Sequence, residues 1–220
     1  MKKVLTVLAF LCLILSCSKY YDYVEGGFNG SGRSGNGSCR TYMLGIVNDL
    51  VVDNLQQIEN ALFISERETN SMSFDMGGKA LTEEGAVWIL KRENSSLSGL
   101  KITCKGKDTW LMERSGDYPI LSSTYPTEYS MTVVRSKGEI ESHYNWDVTL
   151  NGKRNEKEGY ACSFSSDGPL KFTYVSGSTS NWSSCTGYLM MSVTKNSTLV
   201  DEACLILNGG EYDAVLRRLQ

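Results

Sequence analysis

Apolar residues between positions 42 and 66 recur with the period of a helix. They are Val47, Val51, Leu55, Ile58 and Leu62. Spacings of three and four residues place them on one stripe of a helical surface, and polar residues occupy much of the rest. The pattern predicts one amphipathic helix over 42–66 that covers an apolar face of the domain. A helix that binds a partner is the alternative.

From residue 70 onward, short runs of β-branched and aromatic residues alternate with Gly, Asn and Asp. Nine strands are predicted: Ala86–Arg92, Gly99–Cys104, Thr109–Arg114, Glu128–Arg135, His143–Leu150, Gly159–Ser165, Leu170–Ser176, Thr186–Thr194 and Glu202–Leu207. In the clearest of these, Tyr144, Trp146, Val148 and Leu150 alternate with His143, Asn145, Asp147 and Thr149. Strict alternation indicates one buried and one solvated face.

The connections are short and rich in turn residues. Asp167-Gly168 predicts a tight hairpin with Pro169 opening the next strand, 115–127 is the longest predicted loop, and 211–219 predicts a short helix. Because tight turns join antiparallel neighbours, the sheet is expected to be antiparallel.

These elements predict an α+β, mainly β, fold class. One N-terminal amphipathic helix packs on an antiparallel sheet or sandwich of about 8–9 strands. A lipocalin-like up-and-down barrel is the alternative, and it matters because a barrel encloses a ligand cavity.

The first residues have the pattern of an export signal. Lys2 and Lys3 precede an apolar run from Val4 to Leu15, interrupted by Thr6. A run of about 12 residues is too short to span a bilayer but fits a secretory signal peptide. An ordinary signal peptide followed by an incidental Cys is one interpretation of the Ser16-Cys17 ending.

Residues 13–17, Leu-Ile-Leu-Ser-Cys, resemble the lipobox of bacterial lipoproteins. The resemblance departs from the commonest pattern in having Ile14 three residues before the Cys. It implies that 1–16 are removed and that Cys17 carries acyl chains, and two or more chains give stable membrane anchoring. Ser18 after the Cys favours the outer membrane, with the periplasmic and cell-surface sides both open.

Residues 17–38 are expected to be the lipidated Cys and a flexible tether, since Gly and Ser dominate them. Gly30-x-Gly32-x-x-Gly35 matches a dinucleotide-binding fingerprint only in form, because no strand precedes it. Residues 39–220 form a single predicted β-rich domain. Signal, tether and strand pattern together resemble the small β-rich lipoproteins of Bacteroidota that have no assigned function.

Charge and composition restrict the partners. The chain has 22 Lys and Arg against 25 Asp and Glu, and losing Lys2 and Lys3 makes it more acidic. Nucleic-acid binders carry basic patches, so no nucleic-acid partner is expected.

Few residues suit catalysis or metal binding. The five cysteines beyond the anchor have no CxxC spacing; they are Cys39, Cys104, Cys162, Cys185 and Cys204. Buried thiols and one or two disulfides are both compatible with that pattern. His143 is the only histidine and falls on the predicted solvated face. We expect no metal, no cofactor and no enzymatic activity, with a hydrolase the less favoured reading.

Aromatic residues in predicted loops or at strand starts are the weak binding candidates. These are Trp110, Tyr118, Tyr125 and Trp182. Aromatic rings on loops suit the apolar faces of sugars, although such rings also seal sheet edges. The expected function is a non-enzymatic outer-membrane lipoprotein that binds glycan or another envelope protein. A β-barrel binder of a small apolar ligand is the alternative.

Overall fold

The fold is taken from a computed structural model that describes residues 38–67, 72–93, 95–121, 123–139, 143–175, 182–209 and 214–219. The predicted signal peptide, Cys17 and most of the predicted tether lie outside these ranges. Among the described residues, no helix is both long and apolar enough to cross a membrane.

One long helix opens the described chain. It consists of the α-helix α1, Ser38–Gly45, a π-helical segment, Ile46–Val52, and the α-helix α2, Asp53–Glu66. All five apolar residues of the predicted stripe are buried. Tyr42, Met43, Ile46, Leu50 and Ala61 are buried as well, so the helix is enclosed on more than one side. The prediction of an amphipathic helix packed on the sheet is confirmed.

The π-helical segment ends in a side-chain hydrogen bond. The Leu50 carbonyl accepts the Asp53 N–H and also Nδ2 of Asn54, at 2.7 Å. Oδ1 of Asn54 accepts the Tyr129 hydroxyl at 3.0 Å, although Asn54 is fully buried. One amide therefore joins the widened turn to the sheet. π-Helical turns are rare and occur frequently at functional sites.

The remaining elements form one antiparallel sheet of eleven strands. They are β1 Phe74–Asp75, β2 Val87–Leu90, β3 Lys101–Gly106, β4 Thr109–Ile120, β5 Ser123–Lys137, β6 His143–Asn155, β7 Tyr160–Ser166, β8 Leu170–Val175, β9 Trp182–Lys195, β10 Thr198–Gly209 and β11 Ala214–Arg218. A 3₁₀ turn, Lys157–Gly159, joins β6 to β7. All nine predicted strands are present, and spatial order follows chain order from β1 to β11.

Strands β7 and β8 are not the hairpin that Asp167-Gly168 predicts. Both run antiparallel to β6 and to β9, so they are two collinear halves of one strand position. The register of both pairings shifts by two residues across 167–169, which makes this segment an insertion in an interrupted strand. Asp167-Gly168 does have the composition of a turn, but here it forms a bulge in a continuing strand rather than a reversal of chain direction.

Two other local predictions are wrong. Segment 115–127 is not a loop, because β4 and β5 pair continuously from Thr109↔Val134 to Ile120↔Ser123. Of the predicted helix 211–219, the described part contains strand β11, Ala214–Arg218, instead. The lipocalin-like alternative is also wrong for the described residues, since β1 and β11 stand at opposite ends of an open sheet rather than beside each other.

The core lies between the long helix and the inner face of the sheet. The alternation in β6 is confirmed there: Trp146, Val148 and Leu150 are at most 1% exposed. Trp110 and Trp146 pack with ring centroids 6.1 Å apart. The helix thus occupies the space in which a barrel would hold a ligand. The polar side chains that a ligand could reach lie on the outer face of the sheet.

Candidate functional site

The outer face of the sheet carries an open groove of about 680 Å³ between β3 and β7. Two rows of cross-strand partners line it. The first row is Lys101, Glu113, Ser130 and Asn151, and the second is Ser115, Glu128, Lys153 and Ser163. Alternation along each strand sends these polar residues outward while their neighbours enter the core.

Gly152 also lines the groove, although the residues two positions before and after it on β6 point into the core. A methyl group at Gly152 would overlap the Phe164 ring and lie 3.0 Å from Cβ of Tyr129. The missing side chain therefore allows two core aromatic residues to pack directly beneath the groove.

Charges of both signs are interspersed in the groove. Nζ of Lys101 lies 3.2 Å from Oε2 of Glu113, and Lys153 is the cross-strand partner of Glu128. Such exposed pairs contribute about 0–1 kcal/mol, so they can exchange partners with a ligand at low cost. Together with the hydroxyl and amide groups, they offer donors and acceptors to a polar ligand. Arg114 also lines the groove, so three positive side chains stand against two negative ones, a net charge of +1.

Three of the four aromatic candidates, Trp110, Tyr118 and Tyr125, do not line this groove. Trp110 is 1% exposed and donates its indole N–H to the Leu81 carbonyl at 3.0 Å. Tyr118 is fully buried, and its partner in register, Tyr125, is half-buried. The predicted placement of Tyr118 and Tyr125 on an exposed loop is wrong because that segment is a β-hairpin, whereas Trp110 does lie at the start of a strand. The side chain of Trp182 lies outside the described residues, and so does that of His143.

Tyr118 belongs instead to a buried polar cluster at the π-helical segment. Its hydroxyl donates to the Asp49 carbonyl, and Oδ2 of Asp49 accepts the Leu121 N–H at 2.8 Å. Leu121 has φ 49°, a left-handed conformation that is unfavourable for Leu. Burial, together with the nearby Asp49, raises the pKa of Asp53 to about 6, although a hydrogen bond from Tyr118 opposes this.

Arg154 holds the same hairpin end from the other side. It is fully buried, and its guanidinium donates to the carbonyls of Tyr118 at 2.9 Å and Ser123 at 2.5 Å. Oε1 of Glu156 lies 3.7 Å from Nε of Arg154 and accepts the Tyr42 hydroxyl at 2.9 Å. Burial raises the pKa of Glu156. These contacts connect buried groups of the fold, so we regard the cluster as structural.

A half-buried acid, Glu59, lies on α2. Burial raises the pKa of Glu59 to about 7, although the charge of the nearby Arg135 guanidinium opposes this. Within the described chain, neither Oε1 of Glu59 nor Nε1 of Trp146 has a hydrogen-bond partner. The Arg135 guanidinium lies 4.9 Å from the ring centroid of Tyr144. This carboxyl is poorly compensated as an anion.

The five cysteines of the described domain are all buried thiols. Burial raises the pKa of the Cys162 thiol far above its usual range and that of Cys185 to about 12. Of the two arrangements that the sequence left open, the structure has the buried thiols. No group of three or more His, Cys, Asp or Glu suited to a metal ion occurs among the described residues.

The groove is not predicted from the sequence. Alternation could have identified each outward-facing residue, but the rows depend on the register between strands, and no local pattern specifies that register.

No protein-family model matches the chain, and comparisons with curated proteins and with solved structures found no match.

Proposed function

We propose that this protein is a lipid-anchored, non-enzymatic binding module of the outer membrane, whose outer groove binds a hydroxyl-rich ligand such as a glycan. The observation that carries the proposal is the groove of about 680 Å³ with its two polar rows. Its volume is within the usual range of ligand sites, about 300–1,000 Å³. The anchor rests on the lipobox-like sequence that ends at Cys17.

The residue chemistry favours a neutral polar ligand. Ser, Asn, Lys and Glu side chains can exchange hydrogen bonds with several hydroxyls at once, as sugar recognition requires. A net charge of only +1 in the lining gives little attraction for polyanions. A polar segment of another envelope protein would use the same groups, and it is the second candidate.

A matched pair of substitutions on β5 tests the groove. Ser130 lines it, whereas Thr132 faces the same side of the sheet two residues further along and lies outside it. Ser130→Tyr should fill the groove and abolish binding on an array of envelope oligosaccharides, and Thr132→Tyr should leave binding unchanged. Chromatography of the bound oligosaccharides should show no cleavage. Equal effects of the two substitutions, or release of shorter products, would contradict the proposal.

The anchor is tested separately. Cys17→Ala should release the protein from the membrane fraction or leave it unprocessed, because no acyl chain can be attached. A variant that remains membrane-bound at normal mobility would show that the anchor lies elsewhere.

A further inference from the structure

Exposed apolar side chains concentrate at the β11 end of the sheet. Of nine large apolar side chains that are exposed in the described chain, five lie on β9, β10 and β11 or at their ends. These five are Tyr188 (49% exposed), Leu199 (53%), Val200 (48%), Val215 (52%) and Leu219 (39%), and we call them the β9–β11 patch. The other four are scattered over the helix, a turn and strands β2 and β5.

Register shows how the patch extends over the outer face. Tyr188, Ile206 and Val215 are successive cross-strand partners. At the other end of β10, the Leu219 N–H donates to the Glu202 carbonyl at 3.1 Å, two residues from Val200. With a rise of about 3.3 Å per residue, the two ends of the patch are roughly 20 Å apart along β10.

The N-terminal segment leaves the domain at the same edge. Nε of Arg40, in the first turn of α1, donates to the Ala214 carbonyl at the start of β11, at 3.0 Å. The start of α1 therefore lies beside β11. If residues 18–37 behave as the Gly-rich chain that their composition predicts, their root-mean-square length is about 25 Å. An anchor at Cys17 would then hold this edge within about one domain radius of the bilayer.

We propose that the β9–β11 patch is a membrane-contact surface that rests on the phospholipid headgroup region. This inference rests on the lipid anchor of the proposed function. Exposed apolar patches mark protein or membrane interaction sites, and Tyr is favoured at the membrane–water interface. A short flexible tether gives an effective concentration in the millimolar range, so weak contact is sufficient.

Charge around the patch is mixed, which indicates the kind of lipid surface. Arg217 is the partner of Cys204 on the outer face, and Glu202 and Asp167 lie nearby. A polybasic surface would require anionic lipid and would lose its contact in salt. The β9–β11 patch should instead bind zwitterionic lipid, with little dependence on ionic strength.

Fluorescence quenching by brominated lipid tests this contact on the full chain. Tyr188→Trp places a reporter in the patch, and Phe63→Trp places one at a similarly exposed position, 54%, on α2. Each protein is purified from membranes and reconstituted into vesicles of phosphatidylcholine, with or without brominated acyl chains. The emission that Tyr188→Trp adds to the parent spectrum should be quenched, at low and high salt alike, and that of Phe63→Trp should not.

Several outcomes would overturn the inference. They are no quenching at position 188, equal quenching at both positions, and quenching that high salt removes. A dimer in sedimentation whose formation is lost in Tyr188→Ser would assign the patch to a second copy instead.

Mass spectrometry tells whether acyl chains are present. If they are absent, the anchor fails, and the same vesicles added to the protein still test the patch by the same quenching difference.

Discussion

Glu59 provides a test of how the long helix meets the sheet. Its carboxyl is held between α2 and the inner face, near the Trp146 indole and the Arg135 guanidinium. Glu59→Gln keeps the shape of the side chain and removes its charge. We expect this substitution to change the pH dependence of stability rather than the fold.

The expected magnitude follows from the pKa. Burial raises the pKa of Glu59 from 4.5 to about 7, so the folded chain keeps this proton to a higher pH than the unfolded chain does. The resulting stabilisation is fully present below about pH 4.5 and is lost as the pH rises through 7. At about 1.36 kcal/mol for each pH unit, the loss amounts to roughly 3 kcal/mol.

Urea unfolding between pH 4.5 and pH 8, followed by far-ultraviolet circular dichroism, measures this loss. The parent protein should lose about 3 kcal/mol more than Glu59→Gln across the range. Glu113→Gln is the control, since its exposed pair with Lys101 should change the profile by less than about 1 kcal/mol. Parallel profiles for the parent and Glu59→Gln would refute the reasoning, because they would place the carboxyl in water.

Three other predictions concern the core. Trp146→Ala should cost about 3–5 kcal/mol because it empties a fully buried site, whereas His143→Ala should shift Tm by only a few degrees; equal losses in calorimetry would mean that the two faces of β6 are exchanged. Gly152→Ala should cost about 1–3 kcal/mol through overlap with Phe164, and unchanged urea unfolding would show that the ring moves freely. The five cysteines of the domain should react with a thiol reagent only after denaturation; rapid labelling of the native chain would contradict their burial.

Local pattern was sufficient for most of the architecture. The β6 alternation and the buried stripe of the helix were both predicted, because apolar residues recur at regular spacing on the inner face of a half-buried strand or helix. Local pattern failed where pairing with strands that are distant in the sequence decides the structure. Asp167-Gly168-Pro169 has the composition of a hairpin turn, yet β6 and β9 continue past it and keep both halves of the strand in line.

The candidate site was less predictable than the fold. The chemistry of Trp110 and Tyr118 suits a binding site, but both are in the core: Trp110 lies on the inner face of the predicted strand, and the extension of β4 to Ile120 buries Tyr118. Ser130 and Asn151 were not selected, because neither is unusual alone. They become neighbours only through the pairing of β5 with β6, which the sequence of neither strand specifies.

The position of the long helix has a consequence for the order of folding. The sheet is built from strands in chain order, so most of its pairings join segments that are synthesised one after another. The helix precedes all of them, yet its contacts reach far along the chain, from Tyr42 to Glu156 and from Arg40 to Ala214. Contacts between distant segments form slowly because a long loop must close first. The helix is therefore expected to be among the last elements to reach its final place, although it is synthesised first, with its apolar residues exposed until the sheet is complete.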